Sequence, residues 1–242
     1  MLVLYILLIV TIVFLLYCLF LVVCSLFVNP KKEYEHNSRF YRALLNSATA
    51  GMLKVFRIKL YISGVEKVPV NASVMFVGNH RSNYDPIITW YVFRKWKPAF
   101  ISKASNFKIP IFGRFIRKCC FMSIDREDPR KALPTINRAA KLLESGEVSI
   151  GVYPEGTRSK SGKLLPFHNG VFKIAQKAGA PVAVIAISGT EKIAKNLLRF
   201  KSSHIHLNVV NMILASEVQN MKTNALGKLI SEELEKELQH KG

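Results

Sequence analysis

From Met1 to Val28 the chain carries no charged residue and almost nothing polar. A helix of that length is about 42 Å long, against a hydrocarbon core of about 30 Å. The run is therefore expected to be a transmembrane or deeply embedded helix. A cleaved secretory signal would place basic residues before an apolar core of only about 7–15 residues. Here Lys31, Lys32, Arg39 and Arg42 come after the run. By the positive-inside rule they keep the rest of the chain on the cytoplasmic face of the cell membrane.

Everything beyond the anchor is strongly basic, since the formal charge of +19 falls entirely on residues 31–242. Such a body is drawn to an anionic bilayer surface, although the same charge would suit nucleic acid and does not choose between them. A length of 242 residues allows one α/β domain plus a short attachment. Cys18 and Cys24 lie inside the apolar run and Cys119 and Cys120 are adjacent, which suits neither a disulfide framework nor a metal site.

Within 38–56, Phe40, Leu44, Leu45, Ala48, Met52 and Phe56 recur at helical spacing beside Arg39, Arg42, Lys54 and Arg57. This predicts an amphipathic helix, either interfacial or packed on the domain. Residues 1–56 are thus expected to form the membrane-anchoring part. From residue 57 to 242 short apolar strands alternate with helical stretches, the pattern of an α/β domain. Strands are expected at 57–62, 73–77, 99–102, 121–124, 148–153, 181–187 and 204–213. Helices are expected at 86–96, 133–144, 170–177 and 223–239.

His80 and Asp85 stand five positions apart. On a helix that spacing separates them by about 140° around the axis, and on a strand it puts them on opposite faces. Only a turn brings them together, and a turn fits between the strand ending at Gly78 and the helix opening at Asp85-Pro86. An imidazole with an ordinary pKa near 6.5 is a competent base at neutral pH, and a carboxylate on its other nitrogen fixes the tautomer. Asp before Pro is equally an ordinary helix cap, so the pair alone is weak evidence.

A second segment, Tyr153-Pro154-Glu155-Gly156-Thr157-Arg158-Ser159, also lies just past a strand end, where α/β domains place ligands. Gly156 permits a sharp turn, Arg158 offers a planar fork to a phosphate, and Glu155 is an acceptor for an Arg or a hydroxyl. The stretch from Gly156 to Gly162-Lys163 has one residue too many for a P-loop, and Leu164 stands where Ser or Thr is required. No Gly-x-Ser-x-Gly elbow of a hydrolase occurs.

Asn79-His80 with Asp85, followed about seventy residues later by Pro154-Glu155-Gly156-Thr157-Arg158-Ser159, resembles the glycerolipid acyltransferase family. The nearest members are the lysophosphatidate (1-acyl-sn-glycerol-3-phosphate) acyltransferases. Two weaker blocks fall in the expected order, Phe121 to Arg126 and the Pro181-containing strand 180–187. The resemblance implies a mixed sheet flanked by helices, with His80 as general base and Asp85 orienting it. It implies that Glu155, Gly156, Thr157 and Arg158 hold the glycerol phosphate, with Lys103 and Arg126 as further phosphate-binding cations.

The implied reaction moves an acyl group from acyl-CoA or acyl carrier protein to the sn-2 hydroxyl of lysophosphatidic acid, giving phosphatidic acid. No metal and no cofactor beyond that co-substrate is expected, nor a nucleic-acid partner, and the protein is expected to be a monomer. Ser105-Asn106 stands where many relatives have Glu-Leu, and His168 where Lys is common, which leaves another lysolipid acceptor as the alternative. A basic, membrane-anchored binding protein without catalysis would leave both motifs unexplained.

Overall fold

The computed structural model describes residues 1–125 and 128–239. Arg126, implied above as a phosphate ligand, lies outside the described residues. Among those described, seven strands form one mixed sheet in the order β1-β7-β6-β2-β5-β3-β4. They are β1 (Ile58–Ser63), β2 (Met75–Gly78), β3 (Pro98–Ser102), β4 (Met122–Ser123), β5 (Ser149–Val152), β6 (Val182–Ser188) and β7 (Ser203–Ile213). Strands β6, β2, β5, β3 and β4 run parallel, while β7 is antiparallel to β6 and β1 is parallel to β7.

The central strands read as unbroken apolar runs because both of their faces are covered. Met75 and Val77 of β2 enter one core with Val182, Val184 and Ala186 of β6. Phe76 enters the other with Ala183, Ile185 and Ile187. A register shift at Val184/Ile185 lets β7 follow the same rule, with Val209 on one face and Ile213 on the other. At the sheet edge, β1 exposes Lys59, a charge that discourages pairing with a further strand.

The helices are α1 (Leu2–Leu26), α2 (Arg39–Val55), α3 (Asp85–Val92), α4 (Phe112–Lys118), α5 (Pro129–Glu144), α6 (Lys173–Ala178), α7 (Ile193–Leu198), α8 (Ala215–Asn220) and α9 (Thr223–Gln239). α5 starts earlier than its periodicity suggests, because the Asp128 side chain accepts the Arg130 and Lys131 N–H groups and caps it. Pro134 then sits inside the helix. α4, α7 and α8 are too short to show a helical period and are not anticipated by the sequence.

By length and composition α1 can cross a membrane, with a mean hydropathy of 3.3. Met1 to Leu16 project from the body, whereas Cys24, Ser25 and Val28 are buried against it. The Tyr41 hydroxyl donates to Cys24 O (2.9 Å), Arg114 Nη1 donates to Ser25 O (3.0 Å), and the Tyr17 and Ser47 hydroxyls are 2.8 Å apart. Moving from Tyr41 to Ser47 along α2 therefore moves back from Cys24 to Tyr17 along α1. The two helices run antiparallel.

The buried stripe of α2 is Tyr41, Arg42, Leu45, Thr49 and Leu53, one position round from the apolar stripe of the sequence. Arg42 causes the rotation. Its Nε donates to Asn37 Oδ1 (2.7 Å), its Nη1 donates to Pro98 O (3.1 Å), and its guanidinium lies 4.4 Å from the Trp90 ring centroid. Such a planar fork satisfies buried acceptors and stacks at once. Phe40 is left half exposed.

Candidate active site

The C-terminal ends of β2, β5, β3 and β6 lie at one end of the sheet, and the loops leaving β2 and β5 carry the two sequence motifs. After Gly78 the chain continues beside β6 through Asn79, whose Nδ2 donates to Ile187 O (2.9 Å) and whose Oδ1 accepts from Ile187 N (2.8 Å). A side chain thus imitates one more ladder pair and fixes where His80 emerges. The following turn closes at Asp85, which opens α3.

His80 Nδ1 and Asp85 Oδ2 are 2.8 Å apart. The same Oδ2 accepts from Arg81 N and Ser82 N, each at 2.7 Å. Thr190 Oγ1 donates to Asp85 Oδ1. A carboxylate only accepts, so Nδ1 carries the hydrogen and Nε2 keeps its lone pair. Asp85 is wholly buried, while 13% of the His80 side chain remains accessible. Tyr153 stacks on the imidazole at 4.6 Å and 23°, and its hydroxyl lies 3.1 Å from Thr89 Oγ1. Burial pushes the Tyr153 phenol well above its usual range, with the Asp85 charge adding to the effect. It is a neutral platform for the ring.

Glu155 is buried, with 3% exposure, and both of its oxygens are engaged by backbone. Oε1 accepts from His80 N (2.6 Å) and Oε2 from Leu165 N (2.9 Å). Burial raises its pKa, and those two hydrogen bonds partly offset the rise. The Ser159 N–H donates to His80 O (2.8 Å), and Arg81 Nη2 donates to Gly162 O (2.7 Å). The two sequence motifs are therefore laced together. Gly156 takes φ +67 in the turn between them.

Thr157 and Arg158 are exposed just beyond. Lys103 directly follows β3, which ends at the same end of the sheet as its parallel neighbour β5. Among the described residues neither the Arg158 nor the Lys103 side chain has a hydrogen-bond or ion-pair partner, so both cations remain available to an anion.

An apolar cavity of about 360 Å³ opens beside His80, walled by Leu45 of α2, Trp90 of α3, Phe112 and Ile116 of α4, and Tyr153. A second, of about 280 Å³, lies across Tyr153, bounded by Gly156, His168, Lys173 and Ile136. Tyr153 and Ile101 line both.

Sequence reasoning singled out His80 and Asp85, placed Asn79 and Tyr153 in the two motifs without giving either a role, and missed Thr190. Thr190 has no motif of its own. It is placed by Gly189 at φ +89, where any Cβ would overlap the His204 carbonyl oxygen.

A model of the family described as "Acyltransferase" matches residues 59–188, more than half of the chain. The chain belongs to the acyltransferase family. The chain is 38% identical over 136 residues to a chloroplastic 1-acyl-sn-glycerol-3-phosphate acyltransferase of Brassica napus, covering 56% of this chain and 39% of that one. It is 26% identical over 183 residues to a 1-acyl-sn-glycerol-3-phosphate acyltransferase of Borreliella burgdorferi, covering 75% and 72%. The Escherichia coli enzyme of the same name is 30% identical over 141 residues, covering 58% and 56%.

The matched region spans about two fifths of the length of the chloroplastic relatives. A crystal structure of the 1-acyl-sn-glycerophosphate acyltransferase PlsC from Thermotoga maritima superposes with a TM-score of 0.70 at 23% identity, over 93% of this chain and 88% of that one. The fold is shared.

Proposed function

We propose that this acyltransferase moves an acyl group from an acyl thioester to the sn-2 hydroxyl of 1-acyl-sn-glycerol-3-phosphate, giving phosphatidic acid. The observation that carries this reading is the His80–Asp85 pair at the edge of an apolar cavity, with Arg158 and Lys103 unpaired at the same end of the sheet. An apolar cavity suits an acyl chain, and unpaired cations suit a phosphomonoester. The names borne by the matched relatives support the same acceptor.

His80 Nε2 takes the hydroxyl proton as that oxygen attacks the thioester carbonyl carbon. The C–O bond forms, the tetrahedral oxyanion collapses, and the C–S bond breaks. The leaving thiolate then receives the proton from the imidazolium, which Asp85 stabilises meanwhile. No acyl-enzyme is required. Glu155 acts through the backbone it holds, keeping the His80 turn and the 163–165 segment in register.

The donor is acyl-CoA or acyl carrier protein, both anionic, and the charge of +19 favours their approach. A thioester is already activated, so neither metal nor further cofactor is assigned. The chain acts as a monomer at the membrane, with its domain on the cytoplasmic side, where Lys31, Lys32 and Arg39 are exposed after α1. Arg42 is withdrawn into the body and does not contribute to that surface.

The test is a donor-by-acceptor panel on purified enzyme, following thiol release and lipid product together. Thiol release that depends on lysophosphatidate supports the assignment. Release of free fatty acid without an acceptor would make the protein a hydrolase. Preference for a neutral lysolipid would remove the phosphate role of Arg158 and Lys103.

A further inference from the structure

The last residue of α7 and the turn that follows display two large apolar side chains, Leu198 and Phe200, each 82% exposed. Phe200 adopts φ +56, a left-handed conformation where glycine or asparagine is ordinary and a bulky residue is rare. The turn is held firmly all the same. Lys201 N donates to Asn196 O (2.9 Å), Phe200 N donates to Leu197 O (3.1 Å), and Asn196 Nδ2 reaches Ser203 Oγ (3.1 Å). The fold thus presents an aromatic ring to the outside on a pre-organised turn, in a conformation unfavourable for that residue.

Lys192, Lys195, Arg199 and Lys201 are exposed around the two side chains, against Glu191 alone as an acid in 190–202. The Arg57 guanidinium lies 5.4 Å from the Phe200 ring and brings the end of α2 alongside, with exposed Lys54 and Val55. Apolar tips within a basic rim fit a surface that is anionic outside and apolar just beneath, which is an anionic bilayer.

Position points the same way. Strand β7 begins at Ser203, at the end of the sheet where β6 finishes, so the turn lies at the active-site end. It also adjoins the C-terminal end of α2, which runs antiparallel to α1 and so heads toward the projecting part of the anchor. Val70, 72% exposed, is at the opposite end of the sheet, just before β2.

We propose that Leu198 and Phe200 insert into the interfacial layer of an anionic bilayer, forming with α1 a second point of attachment that holds the active-site end of the sheet against the lipid. The proposal rests on the acyl-transfer reading for its choice of a lipid surface, and its test reads position alone, so either can fail without the other.

The experiment uses full-length protein in phosphatidylcholine–phosphatidylglycerol vesicles containing lipids brominated on their acyl chains. Phe200→Trp and, separately, Leu198→Trp report the turn, Val70→Trp reports the far end, and buried Trp90 and Trp96 give a background measured in wild type. An interfacial side chain sits about 5–10 Å into the headgroup boundary, so bromolipid quenching at 200 and 198 should exceed that at 70 by roughly twofold or more. The excess should shrink in pure phosphatidylcholine. Quenching equal to that at 70, with both sites open to aqueous acrylamide, overturns the proposal. Shielding from acrylamide without bromolipid quenching places a second copy on the turn and overturns it equally. An excess unchanged in pure phosphatidylcholine overturns the part given to the basic rim.

Discussion

Thr190 donates its hydroxyl hydrogen to Asp85 Oδ1 and leaves Oδ2 to His80 and two backbone amides. The carboxylate is thereby held by four donors, and the imidazole inherits its orientation from them. Thr190→Val removes one charge-assisted bond and leaves a buried carboxylate oxygen unsatisfied, costing about 2 kcal/mol. With the dyad less well oriented, kcat should fall roughly tenfold while KM for both substrates holds, and Thr190→Ser should restore it. Steady-state kinetics of the two variants check this. An equal change in KM, or no rescue by Ser, would reduce Thr190 to a packing residue.

Glu155 yields a pH-dependent expectation. Its folded-state pKa is raised by burial, so its contribution to stability is complete below the unfolded carboxyl value and is lost as pH rises through the folded value. Glu155→Gln can still accept from His80 N, but its amide meets Leu165 N donor to donor, costing about 1–3 kcal/mol. In denaturant titrations of wild type and variant, the difference should be largest in acid and narrow as pH increases. A difference that widened with pH would reverse the sign of this argument.

Cys119 and Cys120 are buried, and burial pushes their thiols up to about 12 and about 11. The thiolate is the reactive form, so both should resist maleimide at pH 8 until the protein unfolds. Mass spectrometry of native and denatured samples measures it, and rapid native labelling at 119 would show that the β3–α4 region opens.

Arg42 should tolerate replacement poorly. Lysine can reach one of its acceptors but cannot reproduce the fork or the stacking on Trp90, and Arg42→Lys should cost roughly 1–3 kcal/mol. Denaturant unfolding in detergent gives the value directly, and an unchanged midpoint would mean that Asn37 and the Pro98 carbonyl find other partners.

Local patterns reveal some of this structure well. Doubly buried β2, β5 and β6 are legible as apolar runs between turn residues, and the spacing of His80 and Asp85 demands the turn that the structure contains. The helix at 112–118 escapes notice because Ile111, at a positive φ of +61, starts it without a capping side chain. Long-range partners escape for another reason. Thr190 meets Asp85 across 105 positions, and Glu155 meets the His80 amide across 75, and neither distance leaves a periodic trace. The sequence shows that Glu155 is an acceptor, and only the fold shows that backbone N–H groups occupy it. Arg42 illustrates the converse, a cation read as surface charge that the tertiary packing buries beside Trp90.

General-base catalysis by His80 is tested most directly by single-turnover acyl transfer with His80→Ala, purified in the same detergent and matched to wild type in thermal unfolding. Loss of a positioned base should slow the chemical step by about 10²–10⁴-fold, with lysophosphatidate binding retained. Transfer at the wild-type rate would contradict it.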